Sequence, residues 1–406
     1  MYEIIGYLII AFVLSEIILF FWVSIISKKF QWLITRKDEE PKLSKTALKK
    51  FIDIGYDPEL GWIRKPNTTN YEYGVKGKTK WRINQSGVRD NPGFENIKSN
   101  ILCFGDSFTF CRQVNDNETW EYYLSELENT NVKNFGVGNY GIDQSLLRLK
   151  REFSKHETEK VILAVVPDTI SRIMSYWKHY YEYGNTFAFK PKYILKNEEL
   201  LLLKNIIDEE EKFYEYEQYL DEIKKYDYFY ANKFRKEQIR FPYIYHTFKN
   251  AKRNFSILYR VSKIQILNKL NKSTSDIKWL PMQTIMKINL EWRLKLYKNK
   301  IAQKILLKII QEFVRFGKNN EFIPIFLFIP QKDDIIFIQN NFHFFRHFVE
   351  TIEKIDGIYS IDVTEKFLQE SNLDELYSDD NEYGGHLSKK GNHLLATIIH
   401  DELKKL

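Results

Sequence analysis

Cysteine is nearly missing: the 406 residues hold two, Cys103 and Cys111. Two thiols cannot build a disulfide framework, and no cysteine and histidine group has zinc-ligand spacing. Clustered positive charge is missing too. The formal net charge is +7, but Lys and Arg are spread along the whole chain. Nucleic-acid binding calls for a basic face or a recognisable module, so no nucleic-acid partner is expected. There is no internal repeat, and nothing implies a metal or an organic cofactor. Alanine is scarce while Tyr, Phe, Lys, Ile and Asn dominate, which reads as biased genome composition. Core-building material is plentiful, with 44% hydrophobic and 16% aromatic residues. The length suits one large domain with an insertion, or two domains.

Ile4 to Ile26 is a nearly unbroken apolar run. A helical bilayer span needs about 20 such residues, so residues 4–26 are expected to cross a lipid bilayer once. The run is too long for a cleaved signal peptide, lacks a basic n-region and is followed by no small-residue cleavage site. Glu16 is its one charge and is expected to find a partner, as intramembrane carboxylates do. Lys28 and Lys29 end the run, and Trp32 follows at the expected interface. The positive flank, Lys28, Lys29, Arg36 and Lys37, points to a cytoplasmic C-terminal part.

Residues 38–50 read as a polar linker. Residues 51–95 carry turn signals between short aromatic and β-branched runs and read as a β-rich lead-in. Then comes a strand–turn–helix rhythm. Strands are expected at 100–104, 132–137 and 160–166, with helices at 118–127 and 143–153. This argues for a parallel sheet covered by helices. Residues 173–280 break the rhythm and read as a mostly helical insertion that caps the site. The rhythm resumes with a long helix over 286–317, strands at 322–329 and 358–363, a helix near 342–355, and a final helix from 389 to about 403.

Two segments carry chemistry. Gly105-Asp-Ser107 follows the first sheet strand, at the edge where open parallel sheets bind ligands. A serine there, at the start of a helix, would project into the crevice near amides able to hold developing negative charge. Tyr383-Gly-Gly-His386 is a glycine-rich loop just before the last helix. A serine hydroxyl needs such a base to become a nucleophile at neutral pH. The rings of residues 176–181 read as a helix packing face, with His179 a second, weaker candidate.

Together, Gly105-Asp-Ser-Phe-Thr-Phe110, Asn134 to Gln144 and Gly385 to Asn392 resemble the SGNH (GDSL-like) hydrolase family. They are similar to a membrane-anchored branch found around bacterial surface-polysaccharide genes. Asp57 to Trp62 and Trp81 to Asp90 look like that branch's lead-in. The resemblance covers about 53–175 and 320–404. It implies a Ser107 nucleophile, a His386 base and an oxyanion amide after the second strand. It also implies an ester-bearing glycan or lipid substrate and an extracytoplasmic domain, against the charge flank. Three positions depart from the family pattern. The amide position, next to Gly138, is Asn139 rather than Gly; Asn best tolerates the left-handed backbone needed. The usual Gly-x-Asn-Asp block is Val165-Val-Pro-Asp168, and Pro167 offers neither side-chain nor backbone donor. Losing one such donor typically costs about 10²–10³ in turnover; Arg172 or the Asn139 side chain could substitute. The acid position is Tyr383, leaving Asp380 or Glu382 as candidate acids, or a dyad oriented by a carbonyl.

The expected fold is thus three-layer α/β/α with a parallel sheet, SGNH hydrolase-like and flavodoxin-like. Anchor and flank take 1–37, linker and lead-in 38–98, the α/β domain 99–172 and 281–406, and the insertion 173–280. The expected activity is ester hydrolysis through an acyl-Ser107 intermediate. The alternatives are O-acyl transfer by the same serine, or a non-catalytic subunit of a surface-polysaccharide system.

Overall fold

The structure is a computed structural model that describes residues 2–29, 33–74, 77–274, 280–379 and 384–406. Trp32, Asp380, Glu382 and Tyr383 lie outside the described residues. Short apolar runs form the five sheet strands: β1 (Ile101–Gly105), β2 (Val132–Asn134), β3 (Lys160–Val165), β4 (Ile323–Phe328) and β5 (Tyr359–Asp362). All neighbours pair in parallel, in the order β5-β4-β3-β1-β2. Successive side chains of a strand face opposite sides. Ile101 and Cys103 enter one core cluster, and Leu102 and Phe104 the other. Helices cover both faces, so the chain has the expected three-layer architecture. The order reverses between β1 and β3, where such sheets open a crevice at the strands' carboxyl ends.

The named helices are α1 (Tyr2–Lys29), α2 (Lys45–Ile54), α3 (Trp120–Glu128), α4 (Ile142–Glu152), α5 (Tyr243–Lys249), α6 (Ala251–Lys269), α7 (Leu280–Leu296), α8 (Lys300–Asn319) and α9 (Lys389–Leu403). α1 is long and apolar enough to cross a membrane.

Two expectations need correction. The polar stretch 38–50 is not all linker: Ser44 caps α2 by accepting from the Ala47 amide. The long helix expected over 286–317 is two helices. α7 stops at Leu296 and Asn299 starts α8, its side chain accepting from the Ile301 and Ala302 amides at 3.0 Å each; an Asn offering that cap competes with helix continuation. Within the insertion, expected to be mostly helical, Lys192–Lys196 and Glu199–Leu203 pair as an antiparallel hairpin.

Glu16 has partners of an unexpected kind. Its carboxylate, buried in the middle of α1, accepts from the backbone amides of Tyr243 (2.5 Å) and Ile244 (2.9 Å) at the start of α5. Val23 and Ile26 continue that face of α1 into a cluster with Ile257, Leu258 and Val261 of α6 and Ile285 of α7.

Candidate functional site

β1 delivers Ser107 through a tight turn. A Cβ on Gly105 would fall 2.3 Å from the Ala164 carbonyl oxygen of β3, so only glycine lets the strand end this close to its neighbour. Asp106 then folds the turn. It accepts from the Phe108 amide (2.8 Å) and from Arg172 Nη1 (2.8 Å). The turn does not run into a helix, contrary to expectation. Cys111 and Gln113 take positive φ, 55° and 68°, and α3 begins only at Trp120. Ser107 therefore has no helix N-terminus behind it.

The loop after β2 lies opposite. A Cβ on Gly138 would sit 4.0 Å from the Ser107 Cβ. Asn139 has φ 68°, the left-handed conformation expected of it. The amides of Ser107, Gly138 and Asn139 donate to no described residue. Trp62 of the lead-in fixes the loop by donating from Nε1 to the Gly138 carbonyl at 2.9 Å.

His386 is buried, its ring 5.0 Å from that of Phe108. Its orienting partner is Gln113. The Gln113 Oε1 atom accepts from the His386 backbone N–H at 2.9 Å and lies 2.9 Å from Nδ1. An amide oxygen can only accept, so Nδ1 carries the proton and Nε2 keeps its lone pair. Gln113 Nε2 in turn donates to Asp379 at 3.3 Å. Gly385 makes this possible: at φ 65°, a Cβ there would lie 2.6 Å from Gln113 Oε1 and 2.7 Å from Asp379 Oδ2. Burial, then the Arg112, Arg172 and Arg64 charges, hold the His386 pKa well below its usual value.

Ser107, Gly138, Asn139, Arg172 and His386 line one cavity of about 890 Å³. Sequence reasoning missed several other walls. Arg64 lies over both Trp81 and Phe110, 4.2 and 4.1 Å from the ring centroids. It shares the single carboxylate of Glu72 with Arg112, at 3.9 and 3.0 Å. Arg293 of α7, ion-paired with Asp333 and Asp334, also lines the cavity. Gln113 was missed because the acid was sought just before the histidine. The one local signal was a polar residue closing the serine turn.

Arg172 and His179 both have fixed partners. Arg172 is a clamp: Nη1 also donates to the Tyr140 carbonyl (3.0 Å) and Nε to Asp168 (3.1 Å). It ties the turns after β1, β2 and β3 together. His179 does not line the cavity. Its Nδ1 accepts from the Gly184 amide and its Nε2 reaches the Asp38 carbonyl at 2.8 Å, while burial lowers its pKa to about 4. It is a structural core histidine.

No family model matches the sequence, and no curated protein does. Among solved structures, a G-D-S-L family protein from Desulfitobacterium hafniense, described as lipolytic, aligns over 74% of this chain and 98% of its own. Identity is 13% and the TM-score 0.31, too distant to bear on activity.

Proposed function

We propose that this chain is a membrane-anchored serine acyl hydrolase of the SGNH type, held in a bilayer by α1. One observation carries the reading. Ser107 and His386, 279 positions apart in sequence, border the same cavity, and the imidazole keeps its proton on the side away from it. In this reading His386 Nε2 takes the Ser107 hydroxyl proton as Oγ bonds to the ester carbonyl carbon. The oxyanion is held by the Ser107 and Asn139 amides. The tetrahedral intermediate expels the alcohol, which takes the proton from His386. Water, deprotonated by the same nitrogen, then releases the acid and frees Ser107. The substrate class is an ester on a saccharide or a lipid-linked glycan.

A fluorophosphonate probe is expected to label the chain, and Ser107→Ala to abolish labelling. Absence of labelling in the folded parent would leave the cavity a binding site only.

The pH profile is a second test. The base works only when neutral, and its pKa is depressed, so protonation needs a pH well below the usual 6.5. Acylation is expected to persist as pH falls through 6.5 and to fail only below it. In Arg112→Gln the acid limb should move up, because one repelling cation is gone. Single-turnover labelling against pH reads both; a parental limb at or above 6.5 would contradict the assignment.

A further inference from the structure

We infer that α5 and α6 form an arm lying within the leaflet that α1 crosses, and that it holds the cavity at the lipid surface to take an ester borne by a membrane amphiphile. The inference rests on the proposed anchor and serine chemistry, and names the substrate class for that site.

The first argument is length. The α5 amides bond Glu16, so the arm begins beside the middle of α1. Were the arm outside the bilayer, only Ile4 to Ser15 would remain to cross it. Twelve helical residues rise about 18 Å, against a hydrocarbon core of about 30 Å. The anchor can span only if part of the arm enters with it. Helical backbone satisfies its own polar groups there, and the two amides satisfy Glu16.

The second argument is the outer face. Residues buried on α6, such as Ile257, Leu258 and Val261, face α1 and α7. The opposite face presents Phe255, Tyr259 and Ile266, and α5 and its approach add Phe241, Tyr245 and Phe248; Phe241 is 69% and Tyr259 64% exposed. Contrary to the even spread of charge expected along the whole chain, the sequence between Glu237 and Asp276 has eight Lys and Arg and no acidic residue. Lys252 and Lys263 are exposed on the same stripe as the rings. Aromatic and aliphatic side chains flanked by lysines suit the boundary between acyl chains and anionic headgroups.

The third argument is position. α7 separates arm from cavity. Its Ile285 packs in the cluster with Val23 and Ile26, and its Met286, Asn289 and Arg293 line the cavity. One helix therefore spans from the lipid-side cluster to the site.

Depth is measurable in the full chain reconstituted into vesicles of phosphatidylcholine and phosphatidylglycerol. The native cysteines are buried, so a nitroxide can be placed at Tyr259→Cys or Ile266→Cys, with Phe12→Cys as anchor control and Lys366→Cys as aqueous control. Collision with oxygen should dominate over collision with a water-soluble nickel chelate at 12, 259 and 266, and the reverse at 366. Chelate access at 259 and 266 equal to that at 366, with 12 protected, overturns the arm and leaves the anchor standing. Chelate access at 12 overturns both. The same acyl ester is then compared on a vesicle lipid and on a short water-soluble alcohol. Turnover of the vesicle-borne ester should be favoured by about tenfold or more. Equal turnover overturns the substrate class. A parent that fails fluorophosphonate labelling overturns the serine chemistry, and the depth readings stand apart from it.

Discussion

Gln113→Ala is expected to slow acylation of Ser107 by on the order of 10²-fold, the lower end of what a positioned general base contributes. The amide oxygen of Gln113 accepts two hydrogen bonds from His386, one from the backbone N–H and one from Nδ1–H. Without it the ring loses the contact that selects its tautomer, and the loop loses the contact that fixes its approach. Gln113→Glu separates the two effects. A carboxylate keeps both contacts and adds a negative charge, so the rate should return and the acid limb should rise towards 6.5 or beyond. Single-turnover labelling of both variants against pH is the measurement. A parental rate in Gln113→Ala would remove Gln113 from the site.

Arg172→Met should produce the largest stability loss. Asp106 and Arg172 are almost fully buried, with side chains 3% and 6% exposed, and Asp168 depends on the same guanidinium. Removing one partner of such a pair typically costs about 3–5 kcal/mol, because the other charge is left desolvated and alone. The urea midpoint of the detergent-solubilised chain should fall accordingly. Asp106→Asn combined with Arg172→Met should recover part of the loss, since the orphaned charge goes with it. A midpoint unchanged in Arg172→Met would mean that the turns after β1 and β3 hold without the clamp.

The sheet was legible in the sequence because a strand buried on both faces reads as a short apolar run. All five strands begin within a residue of their expected start. Ser107 was marked by the glycine turn at the end of β1 and His386 by the glycine-rich loop before α9, and both border the cavity. Less legible were features set by distant partners. Gln113 is an ordinary polar residue until the chain brings Gly385 against it. Arg64 and Trp62 look like lead-in residues until the lead-in folds over the crevice. Arg172 offered a guanidinium in the right neighbourhood, but the two carboxylates that engage it are fixed only in three dimensions. Asn299 was hidden by the apolar periodicity of the helices on either side, which continues across the break.

The seam along α1 makes this apolar helix a structural member rather than a tether. A tether could be exchanged for any apolar helix of similar length. Exchange here would leave the Tyr243 and Ile244 amides without their acceptor and strip cover from Ile257, Leu258 and Ile285. A shortened, leaderless version would carry that bare surface into water, where such patches drive self-association. The cluster of α1, α6 and α7 and the cavity wall thus share one helix, α7, and separating α1 from the rest would disturb both.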